Sequence, residues 1–144
     1  MSSSVSSFPE VLRRIDLILD RYGEVRDKAS SELASIRKNL KDAEASISKR
    51  AAAVLRQYQA DGIIDKDATI SIRDGKLLLP VANTYKNKVQ GFVYDASASG
   101  KTVFVEPGEV VELENRITEL HFAEEREILR ILIEFSTFVR PYVK

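Results

Sequence analysis

Gly100-Lys101-Thr102 has the ending of a phosphate-binding loop, in which backbone amides cradle phosphates and a lysine reaches them. The full motif needs a glycine where this chain has Asp95, and an aspartate there would oppose a polyanion. It also needs a helix after the threonine, because a helix N-terminus helps hold phosphate. Thr102 is followed by Val103-Phe104-Val105, β-branched and aromatic residues that read as a strand. Pro107 then suits the first turn of the next helix. The expectation is a hairpin loop, residues 97–101, between strands at 88–95 and 102–105.

Other chemistry-bearing residues are few. His121 is the only histidine and there is no cysteine, so no metal-ligand cluster is expected and His121 reads as a helix-surface or interface residue. Glu124, Glu125 and Glu127 stand beside Arg126 and Arg130 at helical spacing. They read as solvated helix charges rather than an acid–base pair. Ser97 and Ser99 lack a nearby base. The remaining candidates are Arg73, Lys76, Lys86, Lys88 and Lys101, with Tyr85 and Tyr94 among them. Such residues on β loops can contact phosphates without reading bases. Alternatively, they protect exposed strands from edge-to-edge association.

Composition narrows the class. The chain has 144 residues, 44% hydrophobic and 31% charged, with six Gly and four Pro. That describes one globular, helix-rich domain. The 22 basic and 22 acidic side chains cancel, so no global field selects a polyanion. Residues 106–144 carry nine acids and five bases. Several of those acids fall near an expected helix start, where they complement the macrodipole. No run approaches the length of a membrane span, and the polar Met1-Ser2-Ser3-Ser4 does not read as a signal peptide. The lack of cysteine fits a reducing, cytoplasmic setting.

Three elements must position the candidates. Phe8, Val11, Ile15, Ile18 and Tyr22 mark one helix stripe, with Ser7 as its expected cap. Ala29, Leu33, Ile36, Leu40, Ala43, Ile47, Ala51, Val54 and Tyr58 then alternate steps of four and three. This is a heptad seam within a helix over 24–59, roughly 50 Å long, whose alanines suit a close partner. The partner is expected at 107–139, where Val110, Leu113, Ile117 and Leu120 lead through Glu124 to Ile128, Ile131, Phe135 and Phe138. The two steps of four around Glu124 form a stutter. Between the helices, "ATISIR" and "LLLPV" flank the hairpin signal Asp74-Gly75. "NKVQGFVYD" and "TVFVE" supply two more strands. The architecture expected is α+β: a long antiparallel, coiled-coil-like helical hairpin, an N-terminal helix, and a small four-stranded antiparallel insertion at the tip. Its expected parts are helices over 8–60 and 107–140 and the β insertion over 61–106, in a single unit of 1–144.

The segments 22–47, 68–120 and 124–132 resemble the bacterial MutS type-two proteins, MutS paralogs distinct from mismatch-repair MutS. The resemblance is strongest in Ser99, Gly100, Thr102, Phe104, Glu106 and Pro107, which match Ser-Gly-x-Thr-x-Phe-x-Glu-Pro. Lys101 falls at a variable position of that run, so its match to a phosphate loop is incidental. The chain departs from the family pattern at Tyr94 (usually His), Lys76 (usually Arg) and Glu114-Asn115 (usually Asn-Asn). No Walker motif or small MutS-related nuclease domain is present, so the chain reads as an internal, non-catalytic fragment. The resemblance implies lever helices with a clamp-like tip. It also implies a parent homodimer that is an ATPase using ATP and Mg and an endonuclease. That parent would bind branched DNA, act in DNA repair by controlling recombination, and rescue stalled ribosomes. The alternative is a structural dimerisation or ribosome-docking module without direct DNA contact. Neither reading involves a membrane.

Overall fold

The structure, a computed structural model, describes residues 8–142. The chain divides into two compact units. One comprises the chain up to Lys41 together with the chain from Glu119; the other is Asp42–Thr118. The helices α2 (Ser31–Ala60) and α3 (Gly108–Val139) each contribute a stretch to both.

In the first unit, α1 (Phe8–Ile18) ends earlier than its apolar stripe suggested, and the expected cap Ser7 lies outside the described residues. Tyr22 is exposed in a reverse turn instead of continuing the helix. The Asp20 carboxylate draws the chain round by accepting from the amides of Tyr22 at 2.8 Å and Glu24 at 3.0 Å. Gly23, with φ +82°, supplies the left-handed position. Leu19 and Val25 then pair as an antiparallel bridge.

The second helix begins at Ser31, not near residue 24. Asp27–Ala29 form a 3-10 turn, so Ala29 lies outside the helix. Ser30 caps α2, its Oγ accepting from the Leu33 amide at 2.9 Å. Ile18, Val25, Leu33 and Ile131 form the buried core of this unit. Glu124 and Glu127 are not the solvated charges expected. Glu127 is buried and Glu124 half-buried, because both lie on the α3 face turned toward the start of α2. Arg37 Nε reaches Glu124 at 2.9 Å, and Ser30 Oγ donates to Glu127 at 2.6 Å.

The second unit is a four-stranded antiparallel sheet packed on helix. Its strands are β1 (Ser71–Arg73), β2 (Lys76–Ala82), β3 (Gly91–Ala96) and β4 (Thr102–Pro107), in spatial order β1-β2-β4-β3. Leu79 and Val81 pair with Val105 and Val103. They point one way, into a core with Val54 and Leu55 of α2 and with Ile64 and Val89. Lys76, Leu78, Pro80, Phe104 and Glu106 alternate onto the other face. Pro107 closes β4 rather than opening α3. Residues 83–88, partly assigned to a strand by sequence, form 3-10 turns. Gly91 sits where a Cβ would fall 2.2 Å from the Glu106 carbonyl oxygen, so β3 and β4 approach too closely there for a side chain.

Candidate nucleic-acid interface

The candidate cations all belong to the second unit, and the sheet divides them into two groups. Arg73 ends β1 and Lys76 opens β2, flanking the turn Asp74-Gly75. Asp74 at φ +51° and Gly75 at φ +77° give the tight hairpin expected of this dipeptide. Both cations face carboxylates. Arg73 lies over the Phe104 ring, 4.1 Å from its centroid, and reaches Asp95 at 2.5 Å. Lys76 Nζ stands 3.7 Å from Glu106 and 3.5 Å from Glu114. Tyr94 Oη donates to Asp74 at 2.5 Å, which raises the Tyr94 pKa.

Lys86, Lys88 and Lys101 form the second group. Lys86 and Lys88 lie in the 3-10 turns Asn83–Lys88, and Lys101 in the hairpin loop between β3 and β4. The Asn83 amide donates to the Lys101 carbonyl at 2.8 Å, bringing the two segments together. All three lysines are exposed, and among the described residues none makes an ion pair. Tyr85 stands beside them, partly exposed.

The serine-rich loop is folded on itself. The Gly100 amide donates to the Ser97 carbonyl at 2.9 Å, and the Ser97 amide to the Thr102 carbonyl at 2.8 Å. Ser97 Oγ accepts from the Thr102 amide at 3.2 Å. These amides are committed within the loop, and a strand, not a helix, follows Thr102. The arrangement is a β-hairpin, not a nucleotide cradle.

The motif residues Ser99, Gly100, Thr102, Phe104, Glu106 and Pro107 therefore run from the loop tip down β4. Glu106 is the unusual member. It is only 7% exposed, and its Oε2 meets no hydrogen-bond donor among the described residues. Burial and the adjacent Glu114 carboxyl raise its pKa to about 6, against the opposing pull of Lys76. A proton on this pair lets one carboxyl donate to the other. Sequence reading missed this cluster because the change of direction from β4 into α3 folds Glu114 back beside Glu106, and Lys76 joins them from β2, an earlier part of the chain.

His121 is exposed, with Nδ1 3.5 Å from Glu124. Among the described residues no grouping of side chains suits a metal ion, and no helix is long and apolar enough to cross a membrane.

No family model matches the chain. It is nevertheless similar along nearly its whole length to part of several curated proteins. It is 38% identical over 143 residues to the endonuclease MutS2 of Geobacillus sp. and 40% identical over 142 residues to that of Pelotomaculum thermopropionicum. Each alignment covers 99% of this chain and 18% of the relative. Against the endonuclease MutS2 of Enterococcus faecalis the identity is 37% over 134 residues, covering 93% of this chain and 17% of the relative. The chain thus spans less than a fifth of the length of the relatives it matches.

Proposed function

From the premise that the chain is a stretch of a MutS2-type protein, we propose that it is the non-catalytic lever and clamp-like part of a DNA-binding ATPase. In this reading α2 and α3 act as one antiparallel hairpin and the β sheet is its tip. Ion pairs within each unit support opposed helix directions: Arg37 with Glu124 in one, Arg50 with Glu109 in the other. The tip touches nucleic-acid phosphates through Lys86, Lys88 and Lys101. The observation that carries this is that Lys86, Lys88 and Lys101 are exposed and, among the described residues, make no ion pair, on two segments joined by the Asn83–Lys101 hydrogen bond, while Arg73 and Lys76 already face acids. Branched DNA is the target, the parent being a homodimer that uses ATP and Mg and acts in recombination control.

The test is fluorescence anisotropy of the chain with labelled four-way-junction and linear duplex DNA across a salt series. Three phosphate contacts give a slope of log affinity on log salt of roughly −3. The triple change Lys86→Ala, Lys88→Ala, Lys101→Ala flattens it. A slope unaltered by the triple change rejects the lysine assignment.

A second reading, a docking module for the ribosome or for a second copy, is favoured by one feature. Phe122, Leu129 and Ile133 on α3 are each more than half exposed. Sedimentation across a concentration series detects self-association, and co-sedimentation with ribosomes detects docking.

A further inference from the structure

Beside the tip lysines lies a groove of about 530 Å³, lined by Ile63, Asp65, Pro80, Ala82, Tyr85 and Thr102 among others. Its volume lies within the range of small-molecule sites. The wall formed by the segment after α2 is held in place by Gln59. That amide donates to the carbonyls of Asp65 at 3.0 Å, Lys66 at 3.2 Å and Ala68 at 3.1 Å. The other wall is β2 with the aromatic ring of Tyr85.

Three properties meet here. Tyr85 offers a partly exposed π face, 42% accessible. The flanking apolar side chains Ile63 and Pro80 exclude water from a flat occupant. Two exposed lysines adjoin the lining along the chain: Lys86 follows Tyr85 directly, and Lys101 precedes Thr102, its carbonyl bonded to Asn83. A planar group carrying an anionic tail satisfies all three at once. We infer that this groove takes an unpaired nucleobase stacked on Tyr85, with Lys86 and Lys101 holding the flanking phosphates.

This inference rests on the proposed nucleic-acid contact and names its substrate class: strands with unstacked bases, as at a branch point or bulge. Aromatic stacking tolerates any base because each has a π face. Asp65 adds a bias. Its carboxylate accepts from an exocyclic amine, so cytosine is preferred to thymine.

The test uses the 144-residue chain with two duplexes of equal length, one fully paired and one carrying a single unpaired base. Expected is binding of the bulged duplex about tenfold tighter than the paired one. Tyr85→Ala brings the affinities for bulged and paired duplex together, whereas Tyr85→Phe keeps them apart. Asp65→Asn removes the preference for a cytosine bulge over a thymine bulge. Thermal midpoints of the variants confirm that they are folded. Equal affinity of the wild-type chain for bulged and paired duplex overturns the base site while leaving the phosphate contact standing. Failure to bind either duplex at low salt overturns both.

Discussion

Arg73 and Asp95 meet at 2.5 Å although they belong to β1 and β3, the opposite edges of the sheet. The contact is possible because the guanidinium crosses the outer face and lies on the Phe104 ring of β4. Beside it, Tyr94 of β3 bonds Asp74 in the turn that follows β1. Tyr94 is the irregular position of β3: the register with β4 passes from Val93 to Asp95, leaving Tyr94 without a partner residue. A bulge of this kind re-aims a side chain. The two edges of the sheet are thereby laced together.

Arg73→Ala should therefore weaken folding rather than nucleic-acid binding. Both ion-pair members are more than two-fifths exposed, so the charge contact contributes about 0.2–1 kcal/mol. The cation–π contact adds about 0.5–1 kcal/mol. Denaturant unfolding of Arg73→Ala, Asp95→Ala and the double variant measures the coupling. A coupling near zero, or a loss of DNA affinity as large as that from Lys101→Ala, would return Arg73 to the group of phosphate contacts.

The Glu106–Glu114–Lys76 cluster makes a pH prediction. The folded pKa of Glu106 is raised to about 6 from an ordinary 4.5, so the folded state holds its proton more tightly than the unfolded chain does. The stabilisation is fully present below pH 4.5 and is lost as pH rises through 6. The shift corresponds to at most about 2 kcal/mol. Glu106→Gln mimics the protonated form. It should be close to neutral at pH 4.5 and stabilising at pH 8. Lys76→Met removes the opposing charge and should move the transition to higher pH. Urea midpoints of the three proteins from pH 4.5 to 8 check this, and parallel curves for Glu106→Gln and wild type would falsify it.

Sequence patterns carried the strands well where the signal was local. Asp74-Gly75 marked the first hairpin, and alternation of valines marked β4. The seam from Leu33 to Val54 was legible because helical spacing is a local property: Leu33, Leu40, Ala43, Ala51 and Val54 are all buried. Boundaries were less legible. Ala29 continues the spacing yet lies in the 3-10 turn Asp27–Ala29, since Ser30 caps the helix after it. Pro107 obeys a helix-start preference but is held at the end of β4 opposite Gly91. The candidate site was legible as residue types and not as roles. Nothing in the spacing of Arg73 and Lys76 shows that Asp95, Glu106 and Glu114 will neutralise them, because those acids arrive from other elements. Lys76 contacts Glu114 directly and Tyr94 bonds Asp74, so each is held by a partner from another element.

In the first unit, Ser30 and Glu127 form the polar anchor between the start of α2 and α3. Ser30 Oγ accepts from the Leu33 amide and donates to Glu127, whose second partner, Arg130, lies at 2.7 Å. Hydrogen bonds from Arg130 and Ser30 hold the Glu127 pKa down to about 2. A depressed acid contributes stability that is present above its unfolded pKa of 4.5 and is lost as pH falls toward 2. Ser30→Ala removes a helix cap, at a cost of about 1–2 kcal/mol near neutral pH. It also takes one donor from a buried carboxylate, so the variant should unfold at a higher pH than wild type during acid titration. Ser30→Thr keeps the hydroxyl and should retain most of both effects. Circular dichroism at 222 nm followed from pH 7 to pH 2 reads the comparison. An acid midpoint for Ser30→Ala identical to that of the wild type would mean that Arg130 alone sustains the Glu127 carboxylate.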